Sequence, residues 1–185
     1  MSPFEFVFSL FGLLLGLSLA EVLGGFVKAV NARGETRVGW LTPMLGTIVM
    51  LDLTTFWSVA WLVRDRVPPS LLTLVIGLLI TGIYYFAASL VFPREPGGQV
   101  DLDDHYMRHR REVLAAVIIS NGVVVVALYG MLRLPLVVDS FIAELFVIPM
   151  TVAIVSKSKR VNLVALIVTL LVYAFYVFGV EWAKG

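Results

Sequence analysis

Apolar residues run along this chain in blocks of about 20, the number a helix rising about 1.5 Å per residue needs to cross about 30 Å of hydrocarbon. Short clusters of charge, proline and glycine separate the blocks, and the pattern predicts six helices. The first covers residues 4–30. The second covers 42–63, with Thr42 as N-cap and Pro43 at the first helical position, where a missing N–H costs nothing. A third occupies 70–92, framed by Pro68, Pro69 and Pro93, since proline starts helices well and interrupts them badly. The fourth opens in the polar stretch 101–112 and continues through the apolar run 113–132. A fifth spans 136–155 and a sixth 162–182. Only 94–112 is a long connection, and it reads as an amphipathic cytoplasmic extension leading into the fourth helix. The expected fold is all-α, a polytopic six-transmembrane-helix bundle forming a single domain over 1–185.

Composition supports a lipid-facing exterior. Of the 185 residues, 59% are hydrophobic and 15% charged, with a mean hydropathy of +0.95, against about 45–50% and about 25% for a soluble domain. There is no cysteine, which excludes a disulfide scaffold, a Cys-ligated zinc site and a thiol nucleophile. A net charge of +1 gives no reason to expect nucleic acid. The segment Met1-Ser2-Pro3-Phe4-Glu5 lacks the basic start of a signal peptide, so the first apolar block is read as a retained helix.

Lysine and arginine set an expected orientation. With six spans, Lys28, Arg33, Arg37, Arg94, Arg108, Arg110, Arg111, Lys157, Lys159 and Arg160 share one side, and Arg64, Arg66, Arg133 and Lys184 the other. Basic loops stay inside, which puts the first side in the cytoplasm and both termini outside. Trp57, Trp61 and Trp182 then gather at the outer interface and Trp40 at the inner one, where indole prefers to sit. Two sets of three helices would make any internal repeat an inverted 3+3 repeat. Its sequence support is one similarity of composition, between Ile83-Tyr84-Tyr85-Phe86 and Tyr173-Ala174-Phe175-Tyr176. A first helix with a central Glu, a second with a central Asp and the segment DxDDHYxRHRR from Asp101 look like a small bacterial membrane protein, giving the bacterial inner membrane as the expected location.

Candidate chemistry lies in a few polar residues at improbable depth. Glu21, Asp52 and Glu144 fall about 14–17 Å from the predicted cytoplasmic helix ends. A charge there costs about 2.5–3.5 kcal/mol on insertion scales, and no lysine or arginine lies at that depth to offset it. These carboxyls must therefore be protonated, hydrated, cation-bound or hydrogen-bonded to neutral groups. Ser140, Glu144 and Thr151 share one face of the fifth helix, and Pro149 frees the Leu145 carbonyl one turn back, so an oxygen-lined cation route is one reading. Interhelical glue is the other. Asn121, mid-way along the fourth helix, is placed to hydrogen-bond any of the three carboxyls. Gly12, Gly16, Ala20 and Gly24 make a ribbon of small side chains along the first helix, suited to close packing within the chain or between copies.

Asp101, His105 and His109 follow at intervals of four, a spacing divalent metals use, but Arg108, Arg110 and Arg111 surround them and repel a dication. The expectation is no metal and no cofactor. Instead Arg108, Arg110 and Arg111 would meet anionic lipid headgroups, and His105 and His109, with an ordinary pKa of about 6.5, would sense pH. No nucleophile, base and acid fall together, so no catalytic residues are assigned and an enzyme is not expected. The functional expectation is a small channel or carrier for protons or another cation, homo-oligomeric and in contact with membrane lipids, with Glu21, Asp52, Asn121, Ser140, Glu144 and Thr151 along the route. The alternative is a non-transporting accessory or assembly subunit of a larger membrane complex.

Overall fold

Six helices form, in the order read from the sequence: α1 (Pro3–Asn31), α2 (Leu41–Leu62), α3 (Leu71–Val91), α4 (Leu102–Leu132), α5 (Asp139–Val155) and α6 (Lys159–Trp182). The computed structural model describes residues 3–32, 38–94, 101–132 and 139–182, with the side chains of 3–4, 131–132, 139–144 and 180–182 outside that description. Five of the helices are long and apolar enough to cross a membrane. The fifth in order, α5, is shorter: its 17 residues reach about 25 Å at 1.5 Å each, with Pro149 inside.

Helix ends are satisfied by different means. Ser70 caps α3 by accepting from the Thr73 amide at 3.2 Å, and Asp101 caps α4 by accepting from the amides of Asp103 and Asp104 at 2.8 and 3.3 Å. For α2 the expected cap is corrected. The helix begins at Leu41, and Trp40 supplies no side-chain cap. Asp103 of α4 instead accepts from the Leu41 amide at 2.9 Å, while the buried Thr42 hydroxyl donates to the Leu102 carbonyl. A neighbouring helix thus does what the local sequence does not.

That polar start of α4 reaches three further helix ends. Arg110 donates to the Ala153 and Ser156 carbonyls at 3.1 and 2.9 Å, and Arg111 to Ile154 at 3.2 Å, satisfying carbonyls left over where α5 stops. His105 donates from Nε2 to the Leu90 carbonyl in the last turn of α3 at 3.1 Å. Tyr106 donates to Asn162 Oδ1 of α6 at 2.7 Å, and Lys159 pairs with Asp104 at 2.6 Å.

The core is built around α2, which lies against α1, α3, α4 and α6. Leu45, Ile48, Val49 and Leu53 pack there with Leu15 and Val22 of α1, Ala87 of α3, Val113 and Val117 of α4 and Leu166 of α6. Phe11 sits on Gly77 and Phe92 on Gly25, at distances a Cβ on either glycine would violate, so α1 and α3 run side by side in the same direction. Among the described residues, α4 and α6 meet instead through polar side chains, Tyr106 with Asn162 and Asp104 with Lys159. Outside, the bundle is apolar: Leu13, Leu62, Leu71, Leu72, Val126, Val164, Leu171, Phe175 and Phe178 are all exposed. A soluble monomer rarely shows contiguous apolar patches beyond a few hundred Å². Apolar surface spread over five spanning-length helices marks a membrane-spanning protein.

Candidate functional site

Asp52 sits in the middle of α2, only 3% exposed. Three helices supply donors to its carboxylate. Tyr84 of α3 donates its hydroxyl to Oδ2 at 2.7 Å, and Tyr173 of α6 donates to Oδ1 at 2.5 Å. Asn121 of α4 directs its amide at both oxygens, 3.1 Å from Oδ1 and 3.0 Å from Oδ2. Each hydrogen bond to a charged group contributes about 1.5–3 kcal/mol, so three of them offset the roughly 2.5–3.5 kcal/mol cost of a charge at this depth. No cation is among the partners of Asp52 within the described residues.

Ring packing fixes these donors. Phe56 tilts against Tyr84 with centroids 5.7 Å apart, and Phe146 of α5 against Tyr173 at 4.3 Å. Thr55, one turn along α2, donates to the Asp52 backbone carbonyl at 2.8 Å. Beside the carboxylate lies a cavity of about 150 Å³ bounded by α2, α4, α5 and α6, room for several waters at about 10–15 Å³ each. Asp52 lines it part-way along: Ile118 of α4 and Met150 of α5 lie on its Lys/Arg-rich side, and Val59, Val125 and Tyr176 on the other.

Of the expected route, Asp52 and Asn121 are brought together. Glu21 is not. It is exposed on the outer face of α1, with no partner among the described residues. Its level is nonetheless deep: α1 meets α2 where Gly12 faces Trp57 and again where Phe26 faces Gly46, and Glu21 lies between those contacts, about one turn from the level of Asp52. Thr151 is exposed and stands off the cavity, which its neighbour Met150 lines. The side chains of Ser140 and Glu144 lie outside the described residues.

The glycine ribbon divides. Gly12 packs within the chain, under Trp57, but nothing lies within 4 Å of a Cβ on Gly16 or Gly24, and Ala20 is exposed. The glycines that hold α1 in the bundle are Gly25 and the facing Gly77 instead. At the start of α4, Arg108 and Arg111 are exposed, whereas Arg110 is 5% exposed and its guanidinium is committed to carbonyls, including Met107. Arg110 is therefore corrected from a headgroup contact to a helix-end clamp. His105 is buried, and His109 stacks on it at 4.3 Å while donating from Nδ1 to the His105 carbonyl at 3.1 Å. Asp101 is engaged as a cap, so the interval of four serves local structure.

Sequence reasoning missed Tyr84 and Tyr173 as site residues, seeing them only as aromatic clusters. Their signal was a hydroxyl in the middle of an apolar span, where it needs an acceptor. Together the features define a helical membrane protein with a buried, neutral-donor carboxylate centre beside a cavity. The chain matches no family model, no curated protein and no solved structure.

Proposed function

We propose that this chain is a small six-span membrane channel or carrier in which Asp52 takes up and releases a proton. The observation that carries the reading is a buried carboxylate, held by Tyr84, Tyr173 and Asn121, in the wall of a cavity. Protons are favoured over metal cations because the neighbours aim hydrogens at the carboxylate, whereas a hard cation needs converging lone pairs. A phenol can turn its hydroxyl from donor to acceptor, so an arriving proton on Asp52 finds Tyr84 or Tyr173 ready to receive it. In this reading α5 completes the sixth span, the Lys/Arg-rich end faces the cytoplasm of a bacterial inner membrane, and the protein is not an enzyme. An inverted repeat is not part of it. Proteoliposomes holding a pH-sensitive dye test the idea: Asp52→Asn should reduce proton uptake to that of empty vesicles. Uptake at the unaltered rate in this variant would refute it.

A second reading rests on Glu21. An unpaired carboxylate facing outward within a turn of the level of Asp52, beside open Gly16 and Gly24, favours a face covered by another membrane helix. That helix belongs either to a second copy, giving a homo-oligomer, or to a larger complex in which this chain is an accessory subunit. Native mass measurement of the gently solubilised particle separates these: multiples of one chain indicate the homo-oligomer, and a stoichiometric second chain the accessory role. A monomer under conditions that preserve membrane complexes would remove this second reading.

A further inference from the structure

A groove of about 530 Å³ runs down the outside of the bundle between α5 and α6. Ile148 and Val152 form one wall and Val161, Val164 and Val168 the other, and at its Lys/Arg-rich end stands Arg160. From Arg160 to Val172, at the groove's far end, is 12 residues, about 18 Å of helix, slightly more than one leaflet's half of about 30 Å of hydrocarbon. Three other basic groups nearby are already engaged: Lys159 with Asp104, and Arg110 and Arg111 with carbonyls at the end of α5. Arg160 is exposed and has no partner among the described residues.

We propose that this groove holds one anionic phospholipid, an acyl chain lying along the valine wall and the phosphate on the Arg160 guanidinium. Charge complementarity selects the headgroup, because the groove's polar end carries a free cation, with exposed Lys157 close by in the α5–α6 connection. Length selects a lipid over a free phosphate, since an isolated anion leaves the apolar wall uncovered. The reading is independent of any transport role.

The test reconstitutes the whole protein in vesicles of equal parts phosphatidylglycerol and phosphatidylethanolamine, solubilises it gently and counts retained lipids by native mass spectrometry. Wild type should retain phosphatidylglycerol in preference to phosphatidylethanolamine. Arg160→Gln should cut that retention about fivefold, the factor one basic side chain contributes near an anionic surface. Val164→Trp, which blocks the groove at an exposed position, should cut it similarly, and Val168→Trp repeats the block should the first variant not fold. Arg94→Gln, also exposed but away from the groove, should change nothing. Equal loss in Arg94→Gln would show a diffuse surface field, and full retention with the groove blocked would show headgroup attraction alone; either overturns the proposal.

Discussion

Replacing Tyr173 by Phe deletes one oxygen and keeps the ring against Phe146, so it isolates a single hydrogen bond. That bond, 2.5 Å long, is one of two found on Oδ1 of Asp52, the other coming from Asn121 at 3.1 Å. Its value depends on what Asp52 is. If the carboxylate is charged, losing a donor costs about 1.5–3 kcal/mol, whereas neutral interhelical hydrogen bonds measured inside a membrane protein average about 0.6 kcal/mol. Asn121 Nδ2 can only donate and the two phenols are placed to do the same, an arrangement that suits a carboxylate, for which the larger figure applies. For a chain of this length each kcal/mol moves the unfolding midpoint by about 2–4 °C, so Tyr173→Phe should lower Tm in detergent by about 3–12 °C. Tyr84→Phe should fall in the same range, and the double variant should depart from additivity because both bonds share one carboxylate. Tyr85→Phe, exposed on the neighbouring position of α3, is the control and should shift nothing. A Tyr173→Phe midpoint indistinguishable from that of Tyr85→Phe would refute the charged, donor-held Asp52.

Removing the Arg110 guanidinium strands the buried carbonyl of Ala153 and takes one of two donors from that of Ser156, which keeps Asn162 Nδ2 at 3.0 Å. Arg110→Met should cost about 1–3 kcal/mol and open the 156–158 connection to protease, and Arg110→Lys should not restore it, since one ammonium lacks the planar fork that spans several acceptors. Limited proteolysis with mass mapping reads the outcome. Gly77→Ala should destabilise by about 1–3 kcal/mol because its Cβ overlaps Phe11. Gly16→Ala meets nothing and should be neutral, or stabilising by about 0.5–1 kcal/mol, in thermal unfolding of the monomer.

Helix positions were legible in the sequence because proline punctuates them locally: α3 starts within a residue of the expected Ser70, which turns out to be its cap, and α2, α4 and α6 end within a residue of expectation. The start of α2 was not, since its cap is Asp103, distant in sequence and adjacent only after folding. Depth along a helix was also readable, and it placed Asp52 and Asn121 close enough to meet. Rotation about the helix axis was not. In a soluble helix a polar face betrays the outside, but α1 is apolar nearly all round, so nothing local told whether Glu21 looks inward or outward. The tyrosines were hidden for a related reason, because a phenol reads as aromatic bulk until the acceptor across the interface is known.

The short polar run at the head of α4 has a mechanical meaning. It fastens the adjoining ends of α2, α3, α5 and α6 to one another through Asp103, His105, Arg110, Tyr106 and Asp104. At the opposite end, Arg64 pairs with Asp65 and Ser70 with Thr73 within one connection or one turn, and the rings of Phe8 and Trp57 join α1 to α2. The polar fastening described above gathers at one end of the bundle. A rod of about 30 Å fixed at its base moves its tip by about 5 Å for a tilt of about 10°, the rise of one helical turn. Helices so bound at one end turn a small change in how Asp52 is held, part-way along them, into a larger displacement the further it is read from the polar head of α4.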